Sequence, residues 1–235
     1  MVSEQNKAVV DAIKRVDLNS YKALSDLLDM AKVIAEPDGD NDLAYALKLT
    51  NFIKRKIPTL PSSIVMNQLY WQALKFEAPH RFESFLLYME KNRSPKKRFY
   101  QPRAKTLHVV VEDLQDLEDG LIEFYGLSLP PRVGKSTVCI FFLAWCAGRH
   151  PDLHNAMGGH SGILAKGFFK EFLNLITSPE YTYSEIFPNV TLESKSSDEY
   201  TVNLNAPDRF ATLTCRGIDG TWTGAVDISA GGYLY

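Results

Sequence analysis

The chain of 235 residues carries 45% hydrophobic and 23% charged side chains, with a formal net charge of −2. This composition is typical of an ordinary soluble protein with one large domain or two smaller ones, and the balanced charge gives no indication of nucleic-acid binding. The longest apolar run, residues 138–147, has about half the length that a bilayer span needs, and no secretory signal begins the chain. We therefore expect a cytoplasmic protein without a membrane partner.

The N-terminal region has apolar side chains at helical spacing, separated by Pro, Gly, Asn and Asp. Five helices are predicted: around residues 9–16, from the cap Ser20 to residues 37–39, from residue 43 to before Pro58, from Ser62 or Ser63 to Pro79, and over residues 82–89. No strand pattern interrupts them. Residues 1–92 are thus predicted to be an all-helical region that packs on, or tethers, another element.

A basic segment follows this helical region. Its seven cations, with no acid among them, are Lys91, Arg93, Lys96, Lys97, Arg98, Arg103 and Lys105. Two prolines also break the segment, so we place a domain boundary between residues 92 and 93. The cations fit a solvated linker, a contact with DNA phosphates or a contact with a nucleotide.

Residues 93–235 are predicted to form an α/β domain. Helices are expected over residues 103–119 (with Gly120 as C-cap), 135–148 and 163–176, and strands over residues 121–129 and 155–161. Strand and helix alternate, which favours a mostly parallel sheet covered by helices on both faces. A hairpin of residues 191–195 and 200–204, a β-rich run at 211–215 and a glycine-punctuated loop at 216–224 follow.

The chain is organised around a tight turn between the predicted strand 121–129 and an apolar helix. The turn ends in Gly-Lys-Ser-Thr, and this order is typical of a nucleoside triphosphate site. The glycine allows close approach of a phosphate, backbone amides of residues 133–137 face the anion, and the lysine reaches the β and γ phosphates. Ser136 is the candidate Mg²⁺ ligand. The candidate nucleotide contacts are Pro131, Arg132, Val133, Gly134, Lys135, Ser136 and Thr137.

The loop departs from the common pattern at its start. Leu129 stands where Gly-x-x-x-x-Gly-Lys-Ser has its first glycine. Pro130 and Pro131 are expected to stiffen the turn instead, because proline fixes φ and removes an amide donor.

The basic segment contains a candidate adenine contact, Phe99-Tyr100-Gln101-Pro102-Arg103. It combines an aromatic face, an amide and a guanidinium just upstream of the phosphate loop, and these groups can stack on and hydrogen-bond to adenine. His160, at the end of the second strand, is either a nucleotide sensor or a structural histidine. The three cysteines, Cys139, Cys146 and Cys215, have no metal-type spacing and are expected in the core.

The order of these features resembles the N-terminal ATPase part of bacteriophage terminase large subunits, the motors that drive DNA into procapsids. The matching pieces are residues 99–103, the loop Leu-Pro-Pro-Arg-Val-Gly-Lys-Ser-Thr, Gly159-His160-Ser161, and Arg216-Gly217 with Thr223-Gly224 before a final strand. The resemblance covers about residues 100–235, and the helical arm also looks like the family's N-terminal region.

The resemblance implies an ATPase with ATP and Mg²⁺ as cofactors. It implies adenine contacts at Tyr100, Gln101 and Arg103, and phosphate and Mg²⁺ contacts at residues 132–137. The catalytic residues that it implies are Lys135, Arg132 and Arg216. Implied partners are double-stranded DNA, a homo-oligomeric ring on a portal and a small terminase subunit, in the cytoplasm of the bacterial host.

The chain also departs from this family. There, the strand that begins like residues 232–235 continues into two acids that organise Mg²⁺ and the attacking water, and a nuclease domain follows. Here the sequence ends before both, and Asp227 is rejected as one of the acids because only Ala225-Val226 precedes it. The expectation is therefore an incomplete domain that binds ATP or ADP weakly and hydrolyses ATP very slowly.

The role of Arg216 stays open between two alternatives. In the first, it senses the γ phosphate or acts on a nucleotide across a subunit boundary. In the second, it forms a salt bridge that supports the glycine loop. Arg149 and Arg209 compete for the first role. Two other functions also remain: a helicase-like nucleic-acid translocase, and a non-catalytic adaptor in which residues 1–90 bind a partner and the phosphate loop is vestigial.

Overall fold

The computed structural model describes residues 18–36, 42–205, 209–222, 224–228 and 231–235. Within these ranges the protein has eight α-helices and four β-strands, and the coarse prediction of an α/β protein is confirmed. The helices are α1 Tyr21–Ile34, α2 Leu43–Lys56, α3 Ile64–Glu77, α4 Phe82–Met89, α5 Ala104–Glu118, α6 Lys135–Arg149, α7 Gly162–Thr177 and α8 Tyr183–Ile186. The strands are β1 Asn155–Gly159, β2 Leu192–Ser196, β3 Thr201–Leu204 and β4 Leu213–Gly217. Each described helix is too short or too polar to traverse a lipid bilayer.

The chain divides into two compact units, one ending at Glu77 and the other starting at Ala78. The sequence places the boundary at residues 92 and 93 instead. Helix α4 and the basic segment therefore belong to the second unit. The reason is a long-range contact: the ring of Phe82 packs against Phe142 and Trp145 of α6, with ring centroids 5.4 and 5.3 Å away.

Helices α1 to α3 form the first unit, and α1 and α3 begin at the predicted caps Ser20 and Ser63. The side chain of Ser20 accepts a hydrogen bond from the amide of Ala23 at 3.2 Å, and Asp42 accepts one from Tyr45 at 2.9 Å. The predicted apolar stripe of α1 is buried in the core. The predicted helix around residues 9–16 lies outside the described residues.

Helix α6 is the centre of the second unit, since every residue from 138 to 148 is buried. The indole N–H of Trp145 donates to the carbonyl of Ala78 at 2.9 Å, so even its polar edge is paired. A helix that is apolar on all sides must be surrounded by other elements. The three cysteines are also buried, as expected.

The sheet has the strand order β1-β4-β3-β2. Only β1 and β4 pair in parallel, while β3 with β4 and β2 with β3 are antiparallel. The prediction of a mostly parallel sheet is therefore wrong, although the predicted hairpin, β2 and β3, is confirmed. The physical reason is that a hairpin reverses the chain, and its second strand adds to the free edge of β4.

One further parallel pairing lies on the other side of β1. The amide of Ala156 donates to the carbonyl of Tyr233 at 2.7 Å, and the amide of Tyr235 donates to the carbonyl of Ala156 at 2.9 Å. Residues 233–235 thus extend the sheet beyond β1.

The predicted strand at residues 121–129 is not formed. These residues have irregular backbone and contribute to no ladder. Leu121 and Phe124 are 72% and 85% exposed, which a strand in the core of a sheet does not allow. A short apolar run becomes a strand only where a partner edge is available, and this depends on distant parts of the chain. The end of α5 agrees with the prediction, because Gly120 follows it with a φ of +72°.

Acid should weaken the fold through His80. Burial, followed by the charges of Arg149 and Arg81, lowers the pKa of this imidazole below its ordinary value. The unfolded chain then binds a proton more readily, so the free energy of unfolding should fall as the pH drops through about 6.5 and be unaffected by this group above it. Urea unfolding at pH 5.5 and 7.5 should show a smaller pH effect in His80→Gln than in the unchanged protein. Equal pH effects in both would contradict this assignment.

Candidate phosphate site

The predicted phosphate loop, residues 129–137, enters α6 through a left-handed glycine. Gly134 is the N-cap residue, with φ +105° and ψ 21°, and Arg132 also has a positive φ of 68°. The amide of Val138 makes the first helical bond, to the carbonyl of Gly134 at 2.9 Å. The amides of residues 135–137 therefore stand at the positive end of the helix, where an anion is stabilised.

Gly134 is required by space as well as by its backbone torsion. A Cβ atom at this position would lie 2.5 Å from Cε2 of Phe99. The ring of Phe99 is stacked on Phe141, with centroids 5.6 Å apart, and the guanidinium of Arg103 lies 5.3 Å from the ring centroid. Phe99 and Arg103 are thus the upstream side chains that reach the phosphate loop.

Tyr100 does not have the place that stacking on adenine needs. It is only 1% exposed, and its hydroxyl donates to Glu83 Oε1 at 2.8 Å. Because the ring is buried, it presents no face on which adenine could stack. The carboxylate of Glu90, a residue that the sequence did not single out, fixes the turn by accepting from the amides of Phe99 and Tyr100 at 2.7 and 3.0 Å.

The polar part of the predicted adenine contact is at the surface. Gln101 Oε1 accepts a hydrogen bond from Arg98 Nη1 at 2.6 Å, and Arg103 Nη1 donates to the carbonyl of Phe99 at 2.8 Å. Both side chains are accessible, but Gln101 has a protein partner for its amide oxygen. Arg103 is the member of this group that lies beside Gly134.

Part of the basic segment is held by ion pairs. Arg93 contacts Glu90 at 3.1 Å, and Lys97 contacts Glu180 at 3.2 Å. Lys96 and Lys105 are exposed. Ion pairs therefore hold part of the segment within the second unit, while Lys96 and Lys105 face solvent.

Lys135 borders a cavity of about 540 Å³ next to the loop. The other lining includes Cys139 at the start of α6, Tyr125 from the irregular segment, and Tyr235. Pro131 and Arg132 are exposed, and Val133 is half-buried. The cavity has a size common among ligand sites, and its lysine provides a positive charge for a phosphate.

Two hydroxyls of the loop affect the pKa of a neighbouring acidic group. Burial raises the pKa of Tyr235, and the Ser136 hydroxyl opposes this shift. Burial also raises the pKa of Glu171 on α7, and the Thr137 hydroxyl opposes it. The sequence did not identify Glu171, although a signal exists: this carboxylate stands three residues after Phe168 on the apolar stripe of α7.

The residues present fit Mg²⁺ only together with a nucleotide. No group of three His, Cys, Asp or Glu side chains suitable for a metal occurs in the part of the chain that the structure describes. Mg²⁺ is commonly held by one or two protein oxygens, phosphate oxygens and water. The Ser136 hydroxyl can provide one such oxygen.

Arg216 supports its own loop. Its guanidinium Nη1 donates to the carbonyl of Thr221, which is a hydrogen bond to the glycine loop and not the salt bridge of the second alternative. The same loop is tied to β1 because the amide of Ile218 donates to the carbonyl of Gly159 at 2.7 Å. The indole N–H of Trp222 donates a hydrogen bond to the carbonyl of Gly217 at 3.1 Å, and this bond joins the two ends of the loop.

The competing arginines have other contacts. Arg149 pairs with Glu118 at 2.9 Å, and the guanidinium of Arg209 lies 5.1 Å from the centroid of the Phe210 ring. Asp227 is exposed and lies outside the pairing with β1. His160 is exposed and borders a second cavity, of about 640 Å³.

The loops of the candidate site meet at one edge of the sheet. Gly159 of β1 is in register with Gly217 of β4, and these two strands are parallel. Residues 233–235 run in the same direction, and Tyr235 borders the same cavity as Lys135. The three parallel segments therefore end at one edge of the sheet, which is the usual position of a ligand in an α/β sheet.

Comparison with known proteins gave no match to a protein-family model, a curated protein sequence or a solved structure.

Proposed function

We propose that the chain is the ATP-binding part of a DNA-packaging motor of the terminase large-subunit type, built on a P-loop NTPase core. The observation that carries the proposal is the position of the Gly134-Lys135 turn. A left-handed glycine begins a buried helix, and Lys135 borders the same cavity as Tyr235 of the segment that runs parallel to β1. This arrangement supports a polyphosphate site, and the order of the sequence motifs supports the terminase type.

Each candidate residue has a role in this proposal. Backbone amides of residues 135–137 hold the phosphates, and the ammonium of Lys135 neutralises their charge. Ser136 provides an oxygen to the Mg²⁺ that accompanies the nucleotide, and this ion would offset charge on the phosphates during hydrolysis. Arg103 and Phe99 border the loop on the side proposed for adenine. Arg132 is exposed next to the phosphates, and Arg216 shapes the neighbouring loop.

The partners in the proposal rest on the resemblance. They are double-stranded DNA, further copies in a ring on a portal, and a small terminase subunit, in the bacterial cytoplasm. Exposed Lys96 and Lys105 lie on the same basic segment as Arg103, and they provide charge for DNA phosphates near the nucleotide.

Nucleotide binding is the direct test. We expect isothermal titration calorimetry with ADP and Mg²⁺ to show one site per chain. Binding should be weaker in EDTA, because EDTA removes the Mg²⁺ that Ser136 would help to hold. Adenosine should bind far more weakly than ADP, since the phosphates carry most of the attraction. Equal affinities for adenosine and ADP would contradict a phosphate site.

DNA dependence distinguishes the two translocase alternatives. A packaging motor should hydrolyse ATP slowly alone and faster with blunt double-stranded DNA, whereas a helicase-like translocase should respond to single-stranded DNA. Both rates are measured by phosphate release, with Lys135→Ala as the blank.

An adaptor with a vestigial loop is the second candidate, and one observation favours it. Residues 121–129, which precede the loop, form no strand. Absence of any nucleotide binding in the calorimetric titration would support the adaptor.

A further inference from the structure

The side chain of Arg103 lies directly beside the phosphate loop. Its Cδ atom is 3.7 Å from the point that a Cβ atom of Gly134 would occupy, so the guanidinium attached to this carbon lies near the loop glycine. Arg103 is half-buried, at the N-cap position of α5. In the proposed site, a phosphate approaches the backbone at Gly134, because glycine has no Cβ atom to exclude it. A cation at this position is therefore placed for the phosphates rather than for the base.

Two contacts with Phe99 hold this guanidinium in place. Arg103 Nη1 donates to the carbonyl of Phe99 at 2.8 Å, and the guanidinium carbon lies 5.3 Å from the centroid of the Phe99 ring. The ring is in turn stacked on Phe141 of α6, with centroids 5.6 Å apart and an interplanar angle of 14°. The helix that begins at the phosphate loop therefore also supports the aromatic ring on which the arginine rests.

A buried carboxylate fixes the turn that carries Phe99. Glu90 is only 2% exposed, and its two oxygens accept from the amide of Phe99 at 2.7 and 2.8 Å. One of them also accepts from the amide of Tyr100 at 3.0 Å, and the other pairs with Arg93 at 3.1 Å. The turn is thus held at its backbone as well as at its ring. An arginine held in this way before a ligand arrives loses less conformational freedom when it binds.

Arg103 also has donors left for an anion. A guanidinium carries five N–H groups, and in the described part of the chain that of Arg103 makes one hydrogen bond, to the carbonyl of Phe99. Its planar fork matches two oxygens of a phosphate. The other two predicted adenine contacts are engaged elsewhere, since the Tyr100 ring is buried and Gln101 Oε1 accepts from Arg98 Nη1 at 2.6 Å.

We propose that Arg103 binds the phosphate chain of the nucleotide, together with Lys135 and the amides of residues 135–137, and that it does not read the adenine base. Its charge and its fork then act on the polyphosphate, where charge-assisted hydrogen bonds are strong. This inference rests on the proposed function, because it requires a nucleotide at the loop, and it replaces the adenine contact that the resemblance implies for Arg103. The affinity that Arg103 contributes should therefore be the same with or without a base on the phosphates.

Arg103→Ala tests the inference, with inorganic tripolyphosphate as the probe that lacks base and sugar. Calorimetry is done with ATP and with tripolyphosphate, both in Mg²⁺. Arg103→Ala should lose about 10- to 100-fold in affinity for both ligands, the effect of lost hydrogen bonds between charged groups. Arg81→Ala is the matched control, because Arg81 is an exposed arginine of the same unit at the N-cap position of α4. This variant should keep both affinities.

Arg103→Lys is a milder second variant. It keeps the positive charge without the fork, so it should recover part of the affinity that alanine loses, again for both ligands. A loss for ATP alone in Arg103→Ala would place this residue at the base or the sugar and overturn the inference. Unchanged affinities for both ligands would overturn it as well, because the arginine would then only support the turn. An unchanged protein that binds neither ligand would instead refute the proposed function, and the inference with it.

Discussion

Replacing Lys135 with alanine should abolish the stabilisation of the protein by ATP. A ligand at 100 times its dissociation constant stabilises the folded state by about 2.7 kcal/mol. For a protein of this size, that corresponds to an increase in melting temperature of about 5–10 °C. Lys135 borders the cavity at the start of α6, and its ammonium provides a positive charge for the proposed phosphates. Without it, we expect ATP with Mg²⁺ to shift the melting temperature by less than about 1 °C.

Lys166→Ala is the matched control for this experiment. Lys166 is an exposed lysine on α7, so its removal changes the net charge equally but leaves the loop intact. This variant should keep the full shift with ATP. Thermal unfolding is followed by circular dichroism with and without ATP and Mg²⁺. A full shift in Lys135→Ala would show that ATP binds elsewhere or without the loop.

Replacing Gly217 with alanine should destabilise the protein strongly, whereas the same change at Gly167 should stabilise it. A Cβ atom at Gly217 would lie 2.7 Å from the amide nitrogen of Gly162 and 2.8 Å from the carbonyl carbon of Ser161. Both are backbone atoms at the start of α7 and cannot rotate away. Forcing an extra methyl group into such a site costs about 1–3 kcal/mol.

Gly167 provides the opposite case within α7. A Cβ atom there would meet nothing within 4 Å. Alanine in the middle of a helix is more favourable than glycine by about 0.5–1 kcal/mol, because the unfolded chain loses less freedom. Urea unfolding should therefore give midpoints displaced in opposite directions. A stabilised Gly217→Ala would contradict the close approach of β4 to α7, and with it the position of the loop at residues 216–222 beside Gly159.

The helices were the most predictable part of the fold. In α1 the apolar residues Leu24, Leu27 and Leu28 lie on one face, and Ser20 caps the start, so pattern and local hydrogen bonding are both visible in the sequence. The same is true of α6, whose first residue follows a glycine that adopts φ +105°. These features depend on residues within a few positions of one another.

The details of the candidate site were less predictable. The sequence cannot tell which of two adjacent aromatics, Phe99 or Tyr100, reaches the loop, because the packing of distant Phe141 and the carboxylate of Glu83 decides it. The effect of the Thr137 hydroxyl on the pKa of Glu171 depends on how α7 packs beside α6. In the sequence, the only local indication that Glu171 has a special position is that this carboxylate lies on the apolar stripe of α7.

The sequence by itself determined where the helices lie, where the hairpin turns and where a phosphate-compatible loop stands, because these follow from side-chain periodicity, capping and backbone torsion over short stretches. The tertiary structure alone decided that β4 pairs in parallel with β1 and antiparallel with the hairpin. It also decided that residues 121–129 join no strand and that Tyr235 borders the cavity of Lys135. Strand pairing and side-chain contacts of this kind join residues far apart in the chain, and their free energy depends on which edges and surfaces the rest of the fold leaves open.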